Sequence, residues 1–134
     1  MRIVRERPPN FDAIAKVFPG AYGSGVIFCY GDTLCNPSGV ALTKALVAHE
    51  EVHSEQQNGN PQAWWDRYLL DVEFRLSQEL PAHAAEYQIA SLGLARPGRR
   101  LHLRDISEKL AAPLYGRMIS PEEAKKQILK LSRK

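Results

Sequence analysis

His49, Glu50 and His53 stand in the run His49-Glu50-Glu51-Val52-His53. On a helix, residues four apart lie one turn above each other on the same face. Two imidazoles so placed can grip one metal ion, and Zn²⁺ takes His nitrogens at about 2.0–2.1 Å. Glu50 sits beside His49 on the helical wheel and can reach a metal-bound water. The metal lowers that water's pKa toward about 7, and a carboxylate then removes the proton as general base. The chemistry open to this residue set is metal-assisted hydrolysis.

The spacing predicts a helix that holds these side chains, over residues 41–57. Leu42, Ala45, Leu46, His49, Val52 and His53 recur at helical intervals, so both histidines continue an apolar stripe. Thr43 is the expected N-cap, and Asn58-Gly59 the stop. A catalytic zinc site usually keeps three protein ligands and one open position. Glu79, His83 and Glu86 are the downstream candidates, at i, i+4 and i+7 on one helical face.

Thr33-Leu34-Cys35-Asn36-Pro37-Ser38-Gly39, followed by His49-Glu50-x-x-His53-x-x-Gln56-Gln57, resembles the small HExxH zinc metallopeptidase-like proteins of phages and prophages. It is also similar to minimal gluzincins, within the zincins. The resemblance spans roughly residues 22–90 and is most specific in the metal motif. It implies an α+β fold, a minimal zincin-like domain that is mostly helical, with a small hairpin or sheet packed before the metal helix. It implies Zn²⁺ as cofactor and a peptide or protein as substrate. In gluzincins the third ligand is a Glu on the helix after the metal helix, which selects Glu79, with Glu86 and His83 as alternatives. The strand before the metal helix forms a substrate-binding sheet edge, here expected at Thr33–Asn36. A carboxylate four residues after the ligand Glu often supports a zinc-bound histidine; here that place holds His83. This departure leaves His83 as a catalytic candidate that could hydrogen-bond a substrate oxyanion.

The remaining chain supplies the frame. At 134 residues, a single domain is expected, large enough for a core without staples. Its parts are an N-terminal strand, helix and hairpin over 1–37, the metal helix over 41–57, a kinked second helix over 61–92, and a helical part over 93–134. Residues 2–6 can form a strand, and Asn10 can cap a short helix with Phe11, Ile14, Ala15 and Phe18 inward. Val26–Tyr30 and Thr33–Asn36 flank Gly31-Asp32, a two-residue hairpin turn. Pro61 opens the second helix, in which Trp64, Tyr68, Val72, Leu76 and Leu80 face inward, while Asp66, Arg67, Asp71, Glu73 and Arg75 form a charged outer face. Pro81 should interrupt this helix near 79–81. Arg96–Arg100 reads as a basic loop, Asp105 as a cap for a helix reaching Ala112, and Ser120-Pro121-Glu122-Glu123 as a capping box for a terminal helix.

Composition narrows the function classes. Hydrophobic residues make up 44% and charged residues 25%, an ordinary globular balance. The net charge of +3 is mild: it permits contact with nucleic acid or acidic partners but does not argue for it, and no nucleic-acid partner is expected. Residues 1–10 are polar with no apolar region behind them, and no apolar run approaches the ~20 residues of a membrane span. A cytoplasmic protein is expected, with no membrane partner and with Cys29 and Cys35 as small reduced core residues. Three function classes follow: a zinc-dependent peptidase with Glu50 as base, a zinc-containing structural or interaction protein, and an anion-binding domain using Arg99, Arg100 and Arg104.

Overall fold

Gly31 turns the chain with φ of +63°, a conformation glycine adopts without penalty. It joins β2 (Phe28–Tyr30) to β3 (Thr33–Cys35) in the antiparallel hairpin expected from the Gly-Asp turn. In this computed structural model, which describes residues 1–132, β1 (Arg2–Val4) pairs in parallel with the far side of β3. The sheet order is therefore β1-β3-β2. The expected substrate edge at Thr33–Asn36 is instead the central strand, bonded on both sides. β2 is the edge that faces the metal helix.

The hairpin register places Phe28 opposite Cys35 and Cys29 opposite Leu34. Side chains alternate along a strand, so the two thiols lie on opposite faces. Both are buried and free.

α1 (Phe11–Val17) buries Phe11, Ile14 and Ala15 against Phe28, Cys35, Trp64, Trp65 and Tyr68. Asn10 precedes this helix, but its side chain makes no capping bond. The aromatic cluster forms the first of two cores. Edge-to-face pairs such as Phe11–Phe28, with centroids 5.8 Å apart at 90°, add to its area burial.

α2 (Lys44–Gln57) starts where the sequence puts it. The Thr43 hydroxyl accepts from the Leu46 N–H at 3.1 Å. It ends at Asn58, left-handed at φ 47°. Its buried face, however, is polar. His49, Glu50, His53 and Gln57 are the buried residues, while Leu42, Ala45, Leu46 and Val52 are only half-buried or less. Buried polar groups require partners, and these come from α4 and the hairpin.

The stretch 61–92 is two helices rather than one with a kink at Pro81. α3 (Pro61–Leu70) ends and α4 (Val72–Ser91) begins at Asp71, whose carboxylate accepts from the Phe74 N–H at 3.1 Å. The carbonyls stranded at the end of α3 are taken by Arg75. Its guanidinium donates to Tyr68 O at 2.9 Å, Leu69 O at 3.1 Å and Leu114 O at 2.7 Å. Arg75 is thus buried at 5% exposure, not part of a charged outer face. Pro81 lies inside α4, which continues through it. A proline there costs about 3 kcal/mol in an isolated helix. Packing of α4 on α2, α5 and α6 holds the segment helical.

Arg96–Arg100 is the first turn of α5 (Arg96–Leu110), with Pro97 in the turn that tolerates it. Asp105 therefore lies mid-helix and caps nothing. A 3₁₀ turn, Pro113–Tyr115, leads to α6 (Pro121–Ser132). Ser120 caps that helix through the Glu123 N–H at 3.1 Å. Leu110, Ala124 and Ile128 are fully buried in the second core with Ala84, Leu103 and Ile106. Each large aliphatic side chain there contributes about 1.5–3 kcal/mol. No described helix is long and apolar enough to cross a membrane. The fold is mixed α+β, mostly helical, with one small sheet.

Candidate metal centre

Between the two cores, α2 and α4 present their polar faces to each other. From α2 come His49, Glu50 and His53; from α4 come Glu79, His83 and Glu86. His53 Nε2 lies 3.1 Å from His49 Nε2. Glu79 Oε1 lies 2.5 Å from His53 Nε2, and Glu79 Oε2 lies 3.7 Å from His49 Nε2. These three side chains form a group whose ligand atoms sit close enough to share one ion, and all three are buried. Of the downstream candidates, Glu79 is the one brought to both histidines.

The far side of each imidazole fixes its tautomer. Gln56 donates through Nε2 to the Gln78 carbonyl at 2.9 Å, which leaves its Oε1 as acceptor toward His53 Nδ1 at 2.8 Å. His53 Nδ1 must then carry the hydrogen. Glu86 Oε1 accepts from His49 Nδ1 at 3.0 Å. In the neutral rings both Nε2 atoms are therefore lone-pair atoms aimed at one spot beside an ionised carboxylate. In that neutral state three acceptors converge with no hydrogen between them, a set that could hold a cation.

The carboxylates enforce this electrostatically. Burial opposes a charge on His49, but Glu79 and Glu86 outweigh it and its pKa is pushed up to about 10. His53 is raised likewise, with burial opposing and Glu79 prevailing. Burial alone would raise Glu79, yet His53 and His49 hold it well below the usual carboxylate range. The pocket thus demands positive charge, which two protons or one divalent cation can meet. A buried His/Glu group able to bind a metal ion is present.

Glu50 does not belong to that group. It lines two adjoining cavities, one of about 140 Å³ that includes His49, His53 and Glu79, and one of about 320 Å³ reaching His83, Glu86 and Tyr115. Burial raises its pKa, partly offset by His53 and His49. A carboxylate with raised proton affinity on the same cavity as the His49/His53/Glu79 group is placed to exchange protons with a ligand there.

The carboxylate support for a histidine that the gluzincin resemblance implies at position 83 comes here from Glu86. Besides His49, its Oε1 accepts from His83 Nδ1 at 3.2 Å. His102 Nε2, from α5, lies 3.4 Å from Glu86 Oε2 without forming an aligned hydrogen bond. All four histidines of the chain therefore gather around two carboxylates. His83 is buried, and burial lowers its pKa despite Glu86. Its Nε2 stands 3.7 Å from Glu79 Oε2. His49, His83 and Glu86 form a second group of converging ligand atoms, sharing His49 with the first.

Sequence reasoning missed four participants, His102 among them. Tyr115 donates from its hydroxyl to Glu79 Oε2 at 3.4 Å and lines the larger cavity. Only the helix breakers Pro113 and Gly116 around it are visible in the sequence. Gln56 is quoted in the motif without a role. Gln57 anchors α2 to the hairpin: its Nε2 donates to Cys29 O at 2.9 Å and its Oε1 accepts from Gly31 N at 2.6 Å. The basic residues Arg100 and Arg104 are exposed on α5. No protein-family model, curated protein or solved structure matches the chain.

Proposed function

We propose that the chain is a zinc-dependent peptidase of the minimal zincin type, with His49, His53 and Glu79 as metal ligands and Glu50 as general base. The observation that carries this is the convergence of two imidazole lone pairs and one carboxylate, with Glu50 outside the ligand set but on the same cavity. The two-nitrogen, one-oxygen set suits Zn²⁺ in a site that keeps a position open. Bound there, Zn²⁺ would supply Lewis acidity toward a substrate carbonyl and toward water.

The chain's own residues do the rest. Glu50 takes a proton from the attacking water and returns it to the leaving amine, a role that its raised proton affinity suits. Gln56 and Glu86 orient His53 and His49 so that their Nε2 atoms face the metal. The Tyr115 hydroxyl stands beside Glu79 on the larger cavity, where it can donate to an oxygen that gains charge; His83 joins it there as a donor only when its Nε2 is protonated as well as the Nδ1 that bonds Glu86.

One observation favours a zinc-containing structural or interaction protein, related to phage components, as the second reading. The cavity directly over the histidines is only about 140 Å³, narrow for a peptide backbone. Glu50→Gln separates the two. In a peptidase the variant keeps its zinc and loses about 10²–10⁴-fold in rate. The assay is cleavage of a mixed peptide library, read by mass spectrometry, with zinc content checked in both proteins. Undiminished cleavage by the variant removes Glu50 from the mechanism. Cleavage by neither protein favours the structural reading.

A further inference from the structure

The segment that follows β1 brings two arginines to one cavity outside the His/Glu cluster. The cavity measures about 340 Å³, and its charged or hydrogen-bonding side chains are Arg5, Arg7, Tyr22 and Ser38. No carboxylate is in its lining. Among the described residues, the arginine–carboxylate pairs belong to Arg67 and Arg104, and Arg5 and Arg7 have none. Two guanidinium groups on one cavity repel each other, and an anion between them turns that repulsion into attraction.

Both side chains are positioned without help from an acid. The Arg7 guanidinium carbon stands 4.3 Å from the Phe11 ring centroid and 5.3 Å from that of Tyr22. Contact through the faces of the rings leaves the N–H edge of the fork free to donate. Arg5 passes over Gly39, where φ is +65° and a Cβ would lie 2.5 Å from Arg5 Nη2. Only glycine leaves that room. Ser38 Oγ accepts from the Gly25 N–H at 3.4 Å, so its own hydrogen is left to donate to a ligand. The arginines of α5 that the sequence offers for anion binding are otherwise engaged. Arg104 stands beside Asp105 and Glu108, and Arg99 donates to Leu94 O at 2.8 Å.

We propose that Arg5, Arg7 and Ser38 bind a phosphate dianion, free or as a small monoester. This site is independent of the peptidase reading. Two guanidinium forks and a hydroxyl are all donors, and their two positive charges match a dianion. A single fork already satisfies a carboxylate. Phosphate presents at least three acceptor oxygens, enough for both forks and the hydroxyl. The Tyr22 ring, 62% exposed, offers the organic part of a monoester a surface in the same lining.

The ¹⁵N-labelled full chain is titrated with inorganic phosphate and, separately, with phenyl phosphate, at slightly alkaline pH and constant ionic strength. Acetate is the monoanion control. Phosphate should shift the Arg5, Arg7, Gly23 and Ser38 amides with half-saturation below about 1 mM. Acetate should bind at least ~10-fold more weakly. Arg5→Gln and Arg7→Gln, both at exposed positions, should each weaken phosphate at least ~10-fold. The exposed Arg100→Gln lowers the net charge equally and should change the affinity less than about twofold. Far-UV circular dichroism checks that each variant is folded. Tighter binding of phenyl phosphate, with added shifts at Tyr22, upholds the proposal and identifies a monoester as the ligand. Equal binding of the two upholds it for free phosphate. The His49→Ala/His53→Ala variant should bind phosphate as the parent does, and loss of binding there would place the anion on the His/Glu cluster and overturn the proposal. Equal losses in Arg100→Gln and Arg7→Gln, equal binding of acetate, or shifts that stay linear beyond about 1 mM phosphate would overturn it as well.

Discussion

Replacing Glu86 tests the idea that a carboxylate remote from the metal sets its affinity. Glu86 Oε1 accepts from both His49 Nδ1 and His83 Nδ1, at 3.0 and 3.2 Å. Glu86→Gln keeps one acceptor oxygen but removes the charge. Glu86→Ala removes both and frees the His49 ring to adopt the other tautomer. Loss of such a supporting partner typically costs 10–100-fold in metal affinity, about 1.4–2.7 kcal/mol. The expected order is about tenfold for Gln and about a hundredfold for Ala. Competition with a chromophoric chelator near neutral pH measures the affinities, and far-UV circular dichroism checks that each variant keeps its helices. Unchanged affinity in Glu86→Ala would refute the reasoning. Equal losses in the two variants would show that charge matters and tautomer does not.

Metal binding near neutral pH should release about one proton or more, since the raised pKa of His49, about 10, keeps it protonated without the metal; calorimetry in buffers of different ionisation enthalpy counts them, and release near zero contradicts this electrostatic reading. In the metal-free protein, the raised pKa of His49, about 10, stabilises the fold fully below the unfolded value of about 6.5. That contribution declines as pH rises from there through about 10, and urea midpoints across the range should fall accordingly. Arg75→Met strands the carbonyls of Tyr68, Leu69 and Leu114 and should cost about 2–4 kcal/mol by urea denaturation, against less than about 0.5 kcal/mol for the exposed Arg100→Met. Ile128→Ala, at a fully buried position, should cost about 2–5 kcal/mol in the same assay.

Local signals made parts of this arrangement legible. Thr43 and Asn58 bracket α2 because capping and left-handed geometry depend on nearby residues alone. Gly31-Asp32 marked the hairpin for the same reason. Helical periodicity put Glu79 on one face with His83 and Glu86 as candidates, and only the gluzincin resemblance chose Glu79 among them. What failed depended on tertiary context. Pro81 looks like a breaker, yet the chain breaks at Asp71, where a cap and the buried Arg75 satisfy the groups that a break exposes. Arg75 itself has no sequence feature to separate it from its charged neighbours. The Pro-Gly pair at 97–98 suggested a loop, but Pro is at home in a helix's first turn, and α5 starts there. Thr33–Asn36 became the centre of the sheet because β1 returns to pair with it, a long-range choice with no local mark. Tyr115 and His102 reach the site from segments that only the packing of α5 and the following turn brings near.

The central claim is that His49, His53 and Glu79 hold one zinc ion. Diffraction from zinc-loaded crystals of the untagged chain, recorded at energies on both sides of the zinc absorption edge, tests it most directly. The account predicts one anomalous peak per chain, about 2.0–2.2 Å from His49 Nε2, His53 Nε2 and a Glu79 oxygen, and no peak in crystals of Glu79→Ala loaded the same way. A peak on the opposite face of His49, between His83 and Glu86, or a peak that survives in Glu79→Ala, would contradict it.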